Sequence, residues 1–140
     1  MIGKCTIIKK MEGVTPKILL VDDDPTFTQL YSSVFRIQKI NFSIAKNGIE
    51  ALQKASEEQP NLILLDIMLP DINGFDVLKR LKEDPRTNKI TVWVISNLAE
   101  QLNKDTAKSL GAQDYIVKAS NTPNQVVTKI NSFFRDRMPI

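Results

Sequence analysis

The stretch KILLVDDDP, residues 17–25, joins an apolar run to the start of a helix. Residues 18–21 are apolar without interruption, which is typical of a strand with both faces buried in a parallel sheet. Asp24 can cap the amino terminus of a following helix, and Pro25 suits its first position. The stretch therefore predicts a β-strand that is followed at once by an α-helix, with two further acids at the junction.

The same alternation of strand and helix continues along the chain. Four later runs predict strands, and a helical pattern follows each of them. The predicted strands are FSIA (42–45), LILLD (62–66), ITVWVIS (90–96) and DYIVK (114–118). Strands that alternate with helices predict an α/β fold, a doubly wound (βα)5 unit in which helices cover both faces of a five-stranded parallel sheet.

The helical patterns also predict inner faces and ends. In the first helix, the apolar spacing predicts an inner face with four members, Phe27, Leu30, Tyr31 and Val34. The fourth helix is expected to run from about Leu98 to Leu110 and to stop at Gly111, a residue suited to the left-handed position after a helix. The last helix is expected to run from Thr122 to about Arg135.

The composition bounds the class of protein. The 140 residues suit one domain with a hydrophobic core, and a net charge of +3 does not indicate nucleic acid or a membrane as partner. The sequence has no histidine, which excludes Ser-His-Asp catalysis and histidine metal ligands. The single cysteine, Cys5, allows no internal disulfide, and no apolar run approaches the length of a membrane span. We therefore expect a cytoplasmic protein.

Polar side chains stand at the ends of four predicted strands. Three acids follow the first strand, Asp66 ends the third, Ser96 the fourth and Lys118 the fifth. Ligands of open parallel sheets bind outside the carboxyl ends of the strands, so we expect one shared crevice. Neighbouring carboxylates need a cation, and oxygen-only ligands point to Mg²⁺, or to Mn²⁺ or Ca²⁺. Lys118 and Ser96 suit a phosphoryl group, which a carboxylate can accept as nucleophile.

Four motifs together resemble the receiver domain of two-component response regulators, in its single-domain, chemotaxis-regulator-like form. They are ILLVDDD, LILLDIMLPDINGFDVL, VWVIS and GAQDYIVK, and the likeness extends over nearly the whole chain. The resemblance implies a flavodoxin-like fold with strand order 2-1-3-4-5. It divides the chain into a flexible leader (1–16), a receiver domain (17–136) and a C-terminal tail (137–140).

The resemblance also implies a metal site and its ligands. Asp66 resembles the phospho-acceptor of the family. Asp22 and Asp23 resemble the acidic pair that holds Mg²⁺ together with Asp66. Met68, two residues after the phospho-acceptor, resembles the position that offers a backbone carbonyl to the metal, so its side-chain type is free.

Three further roles follow from the same resemblance. Lys118 resembles the lysine that binds the phosphoryl group, and Ser96 resembles the switch hydroxyl that moves toward it. Tyr115 resembles the aromatic switch partner that turns inward when the hydroxyl moves. The family usually has Lys-Pro after the fifth strand, often with a cis peptide bond, whereas this chain has Lys118-Ala119. Since a cis bond without proline costs about 2.5–4 kcal/mol, we expect a trans bond here.

The expected function is a phosphorylation-dependent switch in a two-component phosphorelay. A sensor histidine kinase or phosphotransfer protein would phosphorylate Asp66, and a changed surface would bind a downstream protein or act on an output domain missing from this chain. A homodimer through the last helices is a further expectation, and direct nucleic acid binding is not. The chain would be a phospho-acceptor that catalyses its own modification, with slow autodephosphorylation inferred from Met68 and Leu98, rather than an enzyme.

Two rival readings stay open from the residues. The stretch LLVDDDPT also fits phosphatases of the haloacid dehalogenase type, with Asp22 as nucleophile and Asp24 as acid/base. That reading lacks the later acidic motif and leaves Asp66 unexplained. The other rival is a docking module that works without phosphorylation, which has no need of mutually repelling carboxylates.

Overall fold

Five parallel strands form the centre of the protein, in the order β2-β1-β3-β4-β5. The structure is a computed structural model that describes residues 16–137. The strands are β1 (Lys17–Val21), β2 (Asn41–Ala45), β3 (Leu62–Leu65), β4 (Thr91–Ser96) and β5 (Asp114–Val117). The helices are α1 (Pro25–Ile37), α2 (Gly48–Glu58), α3 (Gly74–Glu83), α4 (Gln101–Ser109) and α5 (Pro123–Arg137), with a 3-10 turn at Lys118–Ser120. The predicted fold and strand order are confirmed.

Alternate residues of the central strands face two separate cores, because successive side chains of a strand point to opposite sides. Leu19 and Val21 pack against one core with residues of α2, α3 and α4. Ile18 and Leu20 pack against the other with residues of α1 and α5. All four side chains are fully buried. This explains why β1 reads as a continuous apolar run and why helices lie on both faces of the sheet.

Helix α1 starts as predicted, but its inner face differs from the prediction. The carboxylate of Asp24 accepts a hydrogen bond from the Thr26 backbone N–H at 2.9 Å, and Pro25 is the first helical residue. Leu30, which was expected inside, is 49% exposed, so that prediction is wrong. The buried side is formed by Thr28, Tyr31, Ser32 and Phe35. The polar members tolerate burial because their hydroxyls donate to carbonyls of the preceding turn, as Ser32 does to Thr28 at 2.6 Å.

Helix α4 begins at Gln101, so the predicted start near Leu98 is wrong. The backbone of Leu98 is bonded outside any helix: its N–H donates to the Ser96 hydroxyl at 3.2 Å, and its carbonyl accepts from the Tyr115 hydroxyl at 2.5 Å. The end of the helix follows the prediction. Gly111 has φ +104°, the left-handed conformation that glycine adopts without strain.

The segment after β5 has the backbone that the sequence predicted. No peptide bond in residues 16–137 is cis, so the Lys118-Ala119 bond is trans as expected. The chain makes a short 3-10 turn there, and Asn121 closes it by donating from its side-chain amide to the Val117 carbonyl at 2.9 Å.

The predicted receiver domain, residues 17–136, coincides nearly with the residues that the structure describes. The predicted leader, residues 1–16, lies outside it except for Pro16, and so do residues 138–140 of the predicted tail. Helix α5 continues to Arg137, two residues beyond the predicted end at Arg135. None of the described helices combines the length and the apolar character that a membrane crossing needs.

Candidate functional site

The register of the sheet brings the predicted site residues together. Val21 is paired with Leu65, so the residues that follow, Asp22 and Asp66, leave adjacent strands side by side. On the other side of β4, Ser96 is paired with Val117, and the chain continues directly into Lys118. The carboxyl ends of β1, β3, β4 and β5 therefore supply the acids, the hydroxyl and the lysine at one edge of the sheet, where open α/β sheets bind their ligands.

Lys118 bridges the two buried acids. Its ammonium Nζ donates to Asp22 Oδ2 at 2.6 Å and to Asp66 Oδ2 at 3.0 Å, and its side chain is 12% exposed. Burial lowers the pKa of Lys118, but the hydrogen bond to Asp22 and the charges of both carboxylates outweigh it, so the net pKa is raised. The lysine is therefore charged at neutral pH and holds two carboxylates at once.

A third carboxylate leaves the site short of positive charge. Oxygen atoms of Asp22, Asp23 and Asp66 lie within 4.8 Å of one another, and Asp23 is exposed while the other two are buried. Burial raises the pKa of Asp22, and the charge of Asp66 adds to the rise against the opposing effect of Lys118. One ammonium for three acids leaves room for a divalent cation, which would enter from the exposed side of Asp23.

Met68 lies beside this cluster and contacts Asp66 through its backbone. Its backbone N–H donates to Asp66 Oδ1 at 3.2 Å, which fixes the carboxylate and the start of the loop together. Among the described residues, no donor hydrogen-bonds to the Met68 carbonyl. Its side chain is 63% exposed and makes no polar contact with the cluster. The carbonyl is thus free to serve as a metal ligand.

Ser96 and Tyr115 form the other half of the site. Ser96 is fully buried at the end of β4, and Tyr115 of β5 is half-buried. The Tyr115 hydroxyl donates to the Leu98 carbonyl, which ties β5 to the loop that follows Ser96. Burial raises the pKa of Tyr115, and the charge of Asp66 adds to the rise against the opposing effect of the Ser96 hydroxyl. The two predicted switch residues are therefore in contact with the same loop.

The loop between β3 and α3 is held by contacts that the sequence did not predict. The carboxylate of Asp71 accepts from the backbone N–H groups of Gly48 at 2.7 Å and Ile49 at 3.0 Å, at the start of α2. Gly74 allows the loop to return over the phospho-acceptor candidate, because a Cβ there would lie 2.4 Å from the Asp66 carbonyl oxygen. The sequence around Asp71 and Gly74 carries no signal for these contacts, because the partners are distant in the chain or are backbone atoms.

A shallow groove of about 550 Å³ opens beside the acids. Its wall includes Asp23, Asn73 and Asn103 together with apolar side chains, among them Met68 and Leu98. The carboxylate of Asp24 instead caps α1 and is not a member of the acidic cluster, which disfavours the acid/base role that the phosphatase alternative gives it.

The geometry fits an α/β protein that takes a phosphoryl group on a carboxylate. Residues 18–131 match the family model of the response regulator receiver domain, and the chain belongs to that family. Receiver domains are phospho-acceptors and act as phosphorylation-dependent switches in two-component signalling.

Similar proteins agree with this family. The chain is 34% identical over 126 residues, 89% of its length, to the DNA-binding dual master transcriptional regulator RpaA of Synechocystis, of which the match covers 52%. It is 33% identical over 104 residues to Protein PilH of Pseudomonas aeruginosa, with 73% of this chain and 84% of PilH covered. The Mn²⁺-bound form of response regulator Rcp1 superposes with a TM-score of 0.73 at 28% identity, covering 89% of this chain and 99% of that one. The chain spans about half the length of the transcriptional regulators that it matches.

Proposed function

We propose that Asp66 accepts the phosphoryl group and that the chain thereby switches its binding surface. The observation that carries this proposal is the contact between Asp66 and Lys118 at 3.0 Å, at the end of the central strand β3 and beside two more acids. One carboxylate oxygen of Asp66 faces Lys118 and the other faces the Met68 N–H. Both contacts fix the nucleophile before the phosphoryl donor arrives.

The proposed reaction moves a phosphoryl group from the donor's imidazole to Asp66 and needs no further reactant. A carboxylate oxygen of Asp66 forms a new bond to phosphorus as the bond between phosphorus and the donor's imidazole nitrogen breaks. The nitrogen keeps the electron pair and takes a proton from solvent. Lys118 stabilises the oxygens of the phosphoryl group by its charge, and Ser96 donates a hydrogen bond to one of them. Residues 1–140 contain no histidine, so the phosphohistidine that serves as donor lies outside this sequence.

The proposed cofactor is Mg²⁺, held by Asp22, Asp23, Asp66 and the carbonyl of Met68. Four oxygen donors suit a hard cation, which usually keeps waters and binds a phosphate oxygen as well. When bound, Mg²⁺ would neutralise the charge that gathers as a phosphoryl group meets three acids.

The proposed switch couples Asp66 to the surface through Ser96 and Tyr115. Movement of the Ser96 hydroxyl toward the phosphoryl oxygens would break its bond with the Leu98 N–H and so release the loop before α4. Tyr115 is bonded to the same loop and would shift with it. The two-state surface would then be that of α4, β5 and α5.

The proposed partners follow from this chemistry. A sensor histidine kinase or a phosphotransfer protein supplies the phosphoryl group, which places the chain in the cytoplasm. The output is a downstream protein, or a domain attached to a longer chain as in relatives of twice the length. A homodimer through the last helices is a further proposed partner, in which the exposed Leu102 of α4 would become buried. The side chains of Met68 and Leu98 at this groove support slow autodephosphorylation, because neither can orient an attacking water.

The test uses Mg²⁺, a small phosphodonor such as acetyl phosphate, and the intact mass of the protein. The wild type should gain the mass of one phosphoryl group, and Asp66→Asn should gain none. Asp24→Asn is a matched control, since it changes an acid two residues from Asp22 that caps α1 and lies outside the cluster. It should behave as the wild type does. No gain on the wild type, or the same gain on Asp66→Asn, would refute the proposal.

A further inference from the structure

The ammonium of Lys118 has a third neighbour that is not an acid. Its Nζ lies 4.1 Å from the centroid of the Phe27 ring, while it donates to Asp22 and Asp66 on other sides. A cation at this distance from a ring face is attracted by the electron-rich face of the ring. Phe27 belongs to the first turn of α1, and the sequence analysis predicted only that it lies on the inner face of that helix.

The position of the Phe27 ring is set by the fold. Helix α1 begins directly after the acids, so its third residue comes to lie over the crevice. The Phe27 ring stacks on Tyr31 with centroids 4.4 Å apart, and Tyr31 meets the ring of Phe35 edge-on at 5.8 Å. Tyr31 is 2% exposed and Phe35 is fully buried. A row of aromatic rings thus anchors Phe27 in the core and leaves its other face to the lysine.

The lysine needs such support more than a shorter side chain would. Its long, flexible stem loses much rotamer freedom when it is fixed. Lys118 is joined to Ala119 by a trans peptide bond. The turn that begins there is closed by the side-chain amide of Asn121, which donates to the Val117 carbonyl. A further carboxylate beneath the ammonium would hold it, but it would add a fourth negative charge to a site that must receive a phosphoryl group. An aromatic ring attracts the cation without adding net charge.

We propose that Phe27 is a positioning residue for Lys118, which it holds against the phospho-acceptor by a cation–π contact. This inference rests on the proposed role of Asp66. When the phosphoryl group arrives, the ammonium exchanges a carboxylate oxygen for a phosphoryl oxygen, and the ring on its other side prevents it from withdrawing to solvent. Loss of the ring therefore slows phosphorylation because Lys118 is no longer held in position, and the fold itself is unchanged.

The first experiment measures the contact itself, in the protein without Mg²⁺. A proton above a ring face is shielded, so the Cε protons of Lys118 should resonate at higher field than those of the exposed Lys108. In Phe27→Leu, which keeps the apolar bulk but has no ring, this shift should vanish. An unchanged Lys118 signal in that variant would overturn the inference whether or not Asp66 is phosphorylated.

The second experiment measures the rate of phosphorylation by acetyl phosphate in a double-mutant cycle. Phe27→Leu should lower the rate by about five- to thirtyfold, as expected for loss of a cation–π contact in a largely desolvated site. Phe27→Trp should restore it, because indole is the strongest partner for a cation. In a Lys118→Gln background, the Phe27→Leu change should have no further effect, since the cation is already gone.

The control is Leu30→Ala, which alters an exposed apolar side chain on the same helix. It should leave the rate unchanged, and thermal melts should show all variants folded. An equal loss in both Lys118 backgrounds would assign Phe27 to packing and overturn the inference. Absence of phosphorylation on the wild type would instead refute the role of Asp66, and the proton shift would still decide whether Phe27 holds the lysine.

Discussion

Replacing Gly74 by alanine tests how tightly the loop between β3 and α3 is built over Asp66. A Cβ at this position would lie 2.4 Å from the Asp66 carbonyl oxygen and 2.4 Å from the Ile67 Cα, whereas ordinary contacts are 3.4–4 Å. Both neighbours are backbone atoms, so the main chain must move by about 1 Å to reach the lower end of that range. The Gly74 N–H also donates to the Ile67 carbonyl at 2.8 Å, a bond that such a shift would strain.

The expected cost of Gly74→Ala follows from these two effects. Overpacking of a filled site costs about 1–3 kcal/mol, and a lost backbone hydrogen bond about 1 kcal/mol, so we expect a loss of about 2–4 kcal/mol in the free energy of unfolding. Urea denaturation measures it, with Trp93 as the fluorescent probe because it is the single tryptophan of the chain. The rate of phosphorylation should fall as well, since the displaced main chain carries Asp66.

Gly48→Ala is a matched control for this prediction. A Cβ at Gly48 would also be crowded, but its close neighbours are side-chain atoms of Val77 at 2.8 Å, Ile72 at 3.1 Å and Asp71 at 3.3 Å, and none is a backbone atom. Its free energy of unfolding should fall by less than that of Gly74→Ala, because the gain in helix propensity offsets part of the crowding and the main chain that carries Asp66 need not move. If Gly74→Ala were as stable and as readily phosphorylated as Gly48→Ala, the reasoning about the loop would be refuted.

Three other perturbations probe the site and its surroundings. Lys118→Met should lower the free energy of unfolding by about 3–5 kcal/mol, because it leaves the buried Asp22 without a cation, and Mg²⁺ should recover part of the loss; urea curves with and without Mg²⁺ check this. Met68→Gln should speed the decay of the phosphorylated form, followed by intact mass after removal of the donor, and an unchanged lifetime would count against an apolar barrier to water. Burial raises the pKa of Glu58, but hydrogen bonds from Lys17 and Ser43 outweigh it, so the net pKa lies below its usual 4.5. The stability that Glu58 contributes should therefore be fully present above about pH 5 and lost as the pH falls through its folded pKa, so the difference in stability from Glu58→Gln should shrink in acid but stay constant from pH 6 to pH 8.

Much of the site could be predicted from the sequence because its residues are attached directly to the ends of strands. Asp22, Asp66, Ser96 and Lys118 each end a strand or follow it directly, so a parallel sheet was enough to place them at one edge. No knowledge of packing was needed beyond the apolar runs. The residue types then indicated a cation and a phosphoryl group.

The contacts that escaped prediction join residues that are remote in the chain. The apolar spacing of α1 fits two neighbouring faces of the helix. The buried face includes Thr28 and Ser32, which their polarity would place outside, so the sequence favoured the wrong face. The start of α4 was displaced because Leu98 bonds to Ser96 and Tyr115 instead of joining a helix. Such choices depend on tertiary neighbours and not on the local pattern.

The position of the phosphoryl group on the chain tests the central claim most directly. Borohydride reduces an acyl phosphate to the alcohol with loss of phosphate, and it leaves free carboxylates unchanged. After phosphorylation with acetyl phosphate and Mg²⁺, reduction and peptide mass analysis should find the modified residue at Asp66 and nowhere else. Reduction at Asp22 would contradict the account and favour the alternative in which the first strand carries the nucleophile.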